Sequence, residues 1–284
     1  MNNKVCASII TYNIDEKIIE VVDSIINQVD NVVIVDNGSN SKTIDILNEL
    51  SRKEKIKLVF NDENIGIAKA LNIGIKYAEE NGFEWILTLD HDSICEESMI
   101  YNMFKAIEDY NHKHQIAILT PKVFEINKKE FISQKYNAEY LYSEVDDCIQ
   151  SGSLIKMDTF KKIGLFNDKL FIYHVDFDFC QRIIKQGLKI IQCNNALLYH
   201  EEGYKIPKNI FGISVYYNNY SSIAIYYITR NTIYMGKKYS ITYFKRIIKE
   251  FVHIILFDKS RKEKIKYLIK GLKDGLFNKY GKLE

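Results

Sequence analysis

An α/β protein built on a mainly parallel sheet is what the sequence predicts, and three observations carry that expectation. Short apolar runs rich in β-branched residues alternate with segments of helical period. Several of those runs end in a cluster of polar residues. The composition, 46% hydrophobic and 27% charged over 284 residues, is enough for a large core beneath solvated helix faces.

Taken in order, VCASIITY (5–12), VVIVD (32–36), IKLVF (56–60) and WILTLD (85–90) read as strands buried on both faces. Helix-period segments follow them at about 15–29, 42–52, 66–81 and 96–110. Four successive βα units predict parallel pairing with helices on both faces of the sheet. IAILTP (116–121) reads as a fifth strand that closes this half. Residues 122–150 turn polar and aromatic without a clean period, which predicts loops or a short hairpin. Helical pattern returns at about 158–163 and 175–187, and KIIQCNNALLYH (189–200) reads as a further strand. The stretch 214–239 then opens a helical, tyrosine-rich and later lysine-rich C-terminal part.

Charge is unevenly spread. Residues 237–284 hold 14 Lys/Arg against 5 Asp/Glu, whereas residues 1–236 hold 25 against 32. A basic tail suits phosphates or an anionic leaflet, and it also suits a plain solvated helix face. The nucleic-acid reading ranks last, because no recognition module accompanies the charge. Cys6, Cys95, Cys148, Cys180 and Cys193 form no C-x-x-C pair and lie mostly in apolar runs, so they read as buried small hydrophobes in a reducing compartment. The chain passes from MNNKVCASIITYN straight into a strand pattern, and no window approaches the roughly 18 apolar residues of a membrane span. A cytoplasmic protein, peripheral at most to the inner face of the cell membrane, is expected.

In an open parallel sheet, ligands bind beyond the carboxyl ends of the strands. TYN (11–13), DNGS (36–39), NDEN (61–64) and DHDS (90–93) lie at those ends. Helix capping is an adequate account of Asp62 or Asn64 alone. It explains the pair Asp90 and Asp92 less well, because like charges this close repel unless a cation lies between them. Mg²⁺ or Mn²⁺, held by one or two carboxylates together with substrate phosphates, fits that pattern. Asp92 is therefore the metal candidate, and Asp90 the partner that reaches a ribose or a metal-bound water. Neither a G-x-x-x-x-G-K-[ST] loop nor a G-x-G-x-x-G fingerprint is present, so kinase and dehydrogenase readings lose their main support. A metal-bridged nucleoside diphosphate remains, with Asp36 placed to accept from a base or ribose.

Later in the chain, Asp176, Cys180 and Ile183 share a helix face by spacing, while Asp178 and Arg182 form an i, i+4 pair. Asp176 is then a carboxylate near a core boundary, suited to general-base work. His200 ends an apolar strand; a lone histidine serves as a structural hydrogen bonder more often than as a ligand, although imidazole suits Mn²⁺.

IITYN, VVIVDNGS, NDENIGIAKALNIGI, LTLDHDS and the segment 149–182 ending in VDFDFCQR, taken in this order, resemble family 2 glycosyltransferases, inverting enzymes of the GT-A fold. The resemblance covers about residues 4–205 and is nearest to bacterial rhamnosyltransferases. It is carried there by Asp90 to Ser93, Ser151 to Ile155, Phe171 to Asp176, and Tyr226 with Arg230 and Asn231. Tyr173 and Asp178 depart from the usual aspartate and glutamate of that subfamily, which leaves the exact sugar open. The resemblance implies a GT-A domain over 1–205, with a nucleotide-sugar half (1–121) and an acceptor half (122–205), followed by a helical region (206–284). It implies Asp176 as the base and a divalent cation at Asp92 and His200. Thr11, Tyr12, Asn13, Asp36 and Asp90 would hold the nucleotide, and Gly152 would let the backbone approach the donor, although a turn glycine explains that residue equally. The expected donor is dTDP-L-rhamnose and the expected acceptor a saccharide or lipid-linked saccharide. A UDP-hexose or UDP-N-acetylhexosamine transferase and a non-catalytic nucleotide-sugar-binding protein are the rivals. YFKRIIKEFVHIILF (243–257) reads either as an interfacial membrane helix or as a helix packed on protein, a second subunit of a homo-oligomer included.

Overall fold

The computed structural model describes residues 3–127, 129–132, 140–201, 205–210 and 213–283. The first half alternates as the periodicity predicts: β1 (Val5–Thr11), α1 (Lys17–Ile25), β2 (Asn31–Asp36), α2 (Ser41–Leu50), β3 (Ile56–Phe60), α3 (Ile67–Glu80) and β4 (Trp85–Asp90). Then come β5 (Ile94–Cys95), α4 (Met99–Ala106), β6 (Ile116–Glu125), β7 (Glu130–Phe131), β8 (Tyr142–Val145) and β9 (Ser153–Lys156). The chain continues with α5 (Met157–Ile163), α6 (Val175–Lys185), β10 (Lys189–His200), β11 (Lys205–Ile210) and β12 (Ile213–Asn218). It ends in α7 (Ser222–Lys238), α8 (Phe244–Phe257) and α9 (Arg261–Leu276).

The main sheet runs β3-β2-β1-β4-β9-β6-β10-β5, with β7 beside β6 and β8 beside β10. Its first four neighbours are parallel, as expected of βα units. All seven residues of β1 are buried, and Ile9, Ile34, Leu87 and Leu89 are sealed from solvent; each such side chain contributes about 1.5–3 kcal/mol by burial. Helix α1 buries Ile18, Val21, Val22 and Ile25, a stripe of i, i+3, i+4, i+7 spacing. Asn40 caps α2 by accepting from the Thr43 amide at 3.1 Å.

Three expectations need correction. The strand at 116–121 does not close the first half: it extends to Glu125 and lies between β9 and β10, and β9 inserts antiparallel beside β4. The polar stretch after residue 121 continues that strand and later adds β8 antiparallel to β10. The start of the region read as helical, 214–218, is instead β12, paired antiparallel with β11. The alternation in ISVYYN suits a strand, and helix begins only where Ser221 caps α7 by accepting from the Ala224 amide at 3.1 Å.

The chain divides into two compact units. One comprises Met1–Asn167 and Asp176–Glu201, and the other Asp168–Val175 and Glu202–Glu284. In the second, α9 seats closely on α7, because a Cβ at Gly271 would lie 2.6 Å from the Tyr226 carbonyl oxygen. Among the described residues no helix is long and apolar enough to cross a membrane.

Candidate active site

The parallel register sets Thr11 beside Asp36, and Ile10 beside Asp90, so the residues singled out in the first half gather at one sheet edge. Beyond β1 the chain turns through Asn13, whose φ of +51° is in the left-handed region that asparagine tolerates. The Asn13 amide donates to Ser39 Oγ at 2.8 Å, and Asn13 Oδ1 accepts from the Asn40 amide at 2.9 Å. Tyr12, 43% exposed, stands at the rim.

Asp36 differs from expectation. It is 1% exposed, and its carboxylate already accepts four hydrogen bonds. Oδ1 takes them from Thr11 Oγ1 (3.0 Å) and Ser39 Oγ (2.5 Å), and Oδ2 from the amides of Gly38 (3.1 Å) and Ser39 (2.9 Å). A saturated, buried carboxylate has no lone pair left for a base or ribose. Here Asp36 organises the loop that carries Thr11, Asn13 and Ser39.

Asp90 and Asp92 leave the end of β4, and His200 ends β10. One ligand atom from each of the three lies within 4.8 Å of the others. The sequence reading paired Asp92 with His200 and assigned Asp90 to the nucleotide; the geometry brings all three together. A run of hydroxyls braces them. The Asp90 amide donates to Ser151 Oγ (2.9 Å), Ser151 Oγ meets Ser93 Oγ (2.7 Å), and Ser93 Oγ meets His200 Nδ1 (2.9 Å). His200 Nδ1 also lies 3.4 Å from Asp92 Oδ1. Burial, together with the charge of Asp92, raises the Asp90 pKa. Burial also pushes Asp92 upward, but the hydrogen bond to His200 and the charges of His200, His91 and Lys17 outweigh it, so its pKa falls. Two carboxylates and an imidazole this close suit a hard or borderline divalent ion, Mg²⁺ or Mn²⁺.

Gly152, at φ +83°, donates its amide to the Thr88 carbonyl at 2.8 Å. A Cβ there would lie 2.9 Å from Leu198 Cδ2 and 3.0 Å from Pro121 Cγ. The turn and its packing demand this glycine, which favours the turn explanation over close approach to a donor.

Asp176 lies in the first turn of α6, where its Oδ1 accepts from the Phe177 amide at 2.9 Å. Burial pushes its carboxyl up to about 6, and the charges of Asp90 and Asp147 add to the rise against the backbone amides that lower it. The residue lines a small cavity with Gln150, Cys148, Ile149 and Cys180. Gln150 escaped the sequence reading. Its Nε2 donates to Asp90 Oδ1, while its Oε1 is buried with no hydrogen-bond partner among the described residues. One amide thus touches the carboxylate cluster and lines the cavity of Asp176. The only signal in the sequence is two polar residues, Gln150 and Ser151, just ahead of Gly152. Asp178 is fully buried and bonded to Arg182 Nε at 2.9 Å, while Arg182 also donates to the carbonyls of Ile163 and Leu165. That pair ties α6 to the end of α5.

Comparison with known proteins gives this arrangement a context. The chain is 28% identical to the dTDP-rhamnosyl transferase RfbF of Shigella flexneri, over 96% of this chain and 94% of that protein. Among solved structures it is similar to GalNAc-T7 crystallised with UDP, GalNAc and Mn²⁺, with a TM-score of 0.64 at 13% identity, covering 96% of this chain and 56% of that one. It is also similar to Staphylococcus aureus TarS in complex with UDP-GlcNAc, with a TM-score of 0.54 at 17% identity, covering 97% of this chain and 73% of that one. These likenesses identify the GT-A fold. Residues 6–164 match the family model "Glycosyl transferase family 2". The chain belongs to glycosyl transferase family 2 and is a glycosyltransferase.

Proposed function

We propose that this enzyme transfers L-rhamnose from dTDP-L-rhamnose to a saccharide or lipid-linked saccharide, with inversion at the anomeric carbon. The observation that carries the donor is the match to a dTDP-rhamnosyl transferase along nearly the whole of both chains. In this reading Asp176 takes the proton from an acceptor hydroxyl. The hydroxyl oxygen forms its bond to the anomeric carbon as the bond to the diphosphate breaks on the opposite face. Efficient general bases have pKa values near working pH, and a carboxyl raised to about 6 is ionised at neutral pH yet more basic than an ordinary aspartate. Asp90, Asp92 and His200 would hold a divalent cation, which supplies positive charge against the charge developing on the leaving diphosphate. Ser93 and Ser151 fix the orientation of those ligands. Thr11, Tyr12 and Asn13 line the donor side, on the loop that Asp36 holds in shape. Gly152 shapes the turn bearing Gln150 and Ser151.

The test is a screen of purified protein with Mn²⁺ or Mg²⁺ against dTDP-L-rhamnose, UDP-glucose, UDP-galactose and UDP-N-acetylglucosamine, reading released nucleotide and thermal shift. Selective, metal-dependent release from dTDP-L-rhamnose supports the reading. Preference for a UDP-sugar overturns the donor, and donor binding without turnover on any acceptor supports a binding protein instead.

A peripheral contact with an anionic inner leaflet belongs to the same proposal. Helix α8 buries Glu250 and Ile254, yet its other side exposes Ile248 (65%), Leu256 (57%), Phe251, Val252 and Ile255. Lys245 and Lys249 border that stripe and are exposed. Apolar side chains beside lysines suit a negatively charged bilayer, whereas self-pairing would set lysines against lysines. Cosedimentation with phosphatidylglycerol vesicles but not phosphatidylcholine vesicles, lost in Ile248→Glu/Leu256→Glu, is the expected result; dimerisation through α8 without vesicle binding would refute it.

A further inference from the structure

We infer that Arg230 and Asn231 of α7 are positioning residues of the transfer reaction, holding the backbone of 168–174 in a conformation it would not otherwise keep. The inference rests on the proposed role of Asp176, which follows that segment after Val175. Within four residues Phe171 (φ +63°), Tyr173 (φ +65°) and His174 (φ +61°) all take the left-handed conformation, and none is glycine. Side chains bearing a Cβ disfavour that region, and runs of such residues persist only where their surroundings over-determine them.

The over-determination comes from two consecutive side chains. Asn231 Nδ2 is within hydrogen-bond distance of three carbonyl oxygens, those of Leu170 (2.8 Å), Ile172 (2.7 Å) and Tyr173 (3.0 Å). Arg230 Nη2 donates to the carbonyl of Leu170 (2.9 Å), and Arg230 Nε donates to Asn231 Oδ1 (2.9 Å), which fixes the orientation of the amide. Arg230 Nη1 donates to the carbonyl of Gly281 (2.6 Å), whose own amide donates to the carbonyl of Lys169 (2.8 Å). Arg230 is 1% exposed, and its guanidinium lies over the rings of Tyr226, Tyr227 and Tyr280. The ring of Phe171 stacks on Tyr227 at 5.0 Å, and His174 Nε2 meets Thr232 Oγ1 at 3.1 Å.

A buried arginine whose donors go to backbone carbonyls is an expensive way to hold a surface loop, since burying its charge is costly. What it specifies is the path of the chain over the last residues before Asp176. The clipped segment runs through Val175 directly into the first turn of α6, which carries Asp176. Transfer should therefore depend on the clip, while binding of the nucleotide-sugar, assigned to residues of β1, β2 and β4, should not.

The experiment uses the full chain with Asn231→Ala, Arg230→Lys and, as control, Asp176→Asn. Transfer from dTDP-L-rhamnose is read on whichever member of a p-nitrophenyl glycoside panel turns over fastest. Donor Kd is read by calorimetry and folding by circular dichroism. Because a misplacement of about 1 Å costs roughly 100-fold, Asn231→Ala should lower transfer by about 100-fold with donor Kd unchanged to within about twofold. Arg230→Lys, which keeps the charge and loses the fork, should show a smaller loss of the same kind, and it stands as the test if Asn231→Ala does not fold. Unchanged transfer in a folded variant, or parallel loss of donor affinity and transfer, overturns the inference. If Asp176→Asn itself retains transfer, the base assignment fails, and that failure is visible separately from the clip.

Discussion

Replacing Asp176 by asparagine should make the protein both inactive and more stable, and the stability gain should depend on pH. The carboxyl is pushed from its ordinary 3.8 up to about 6, mainly by burial. At about 1.4 kcal/mol per tenfold change, that rise is a preference of about 3 kcal/mol for the neutral form in the folded state. The folded pKa is raised, so this stabilisation is fully present below the unfolded value and lost as pH rises through about 6. Asparagine is neutral at every pH and keeps it. At pH 8 the variant should therefore be more stable by about 1–3 kcal/mol, the lower figure allowing for partial exposure, or about 3–8 °C in Tm for a unit of this size. Near pH 4 the two proteins should unfold together. Thermal unfolding at pH 4, 6 and 8 in EDTA is the assay. Mn²⁺ added at pH 8 should narrow the gap, because positive charge near Asp90 and Asp92 offsets part of the repulsion that Asp176 feels. Transfer should fall by about 10²–10⁴-fold, the usual contribution of a general base. An asparagine variant equal in stability to the parent at pH 8, or less stable, would refute the electrostatic reasoning; one that still transfers sugar would refute the base.

Asp147→Asn removes a negative charge that raises the Asp176 pKa, so the acid limb of the kcat/KM profile should move to lower pH while the plateau stays. Ser151→Ala breaks the hydroxyl run between the Asp90 amide and Ser93; by the usual cost of removing a support behind metal ligands, Mn²⁺ affinity measured by calorimetry should drop about 10–100-fold. His200→Ala should weaken Mn²⁺ binding and metal-dependent thermal stabilisation while leaving the EDTA-treated protein folded. Gly152→Ala combines a left-handed φ with contacts of 2.9 and 3.0 Å, and should cost about 2–4 kcal/mol in a denaturation titration.

β1, β2 and β4 were legible because each is buried on both faces, and continuous β-branched runs say so without reference to any other part of the chain, whereas β3, read the same way, is the edge strand and leaves Lys57 and Phe60 exposed. Asp92 and Asp176 could be singled out as candidates because carboxylates at the end of a strand or the start of a helix are chemically conspicuous. What stayed hidden depends on contacts between distant residues. Nothing local in SLIK predicts that β9 inserts between β4 and β6, since that choice is made by the sheet. Asp36 looked like a ligand-binding carboxylate because its saturation by Thr11, Gly38 and Ser39 exists only once the loop has formed. Gln150 looked like any polar residue before a turn. Likewise ISVYYN, with its aromatic and branched residues, suits either a strand or one face of a helix, and it was the pairing with β11 that decided.

Asp90 and Asp92, the two carboxylates at the end of β4, have unlike surroundings. Both are partly buried, but His200, His91 and Lys17 draw Asp92 toward ionisation while Asp90 sits deeper against its neighbour's charge and is driven toward the neutral form. Two carboxylates with opposed tendencies leave Asp90 poorly stabilised as an anion, and a divalent cation between them would favour the ionised form of both. When ionised, Asp90 also adds, behind burial, to the rise at Asp176, so in the proposed mechanism its charge couples the cation cluster to the base. A cation in the cluster should therefore make Asp176 ionise more readily, and a kcat/KM acid limb that does not move between low and saturating Mn²⁺ would count against this coupling. On the proposed mechanism, the strand end that delivers two carboxylates therefore has a second role besides offering cation ligands: after burial, the Asp90 charge is one of the influences on the carboxyl proposed as base.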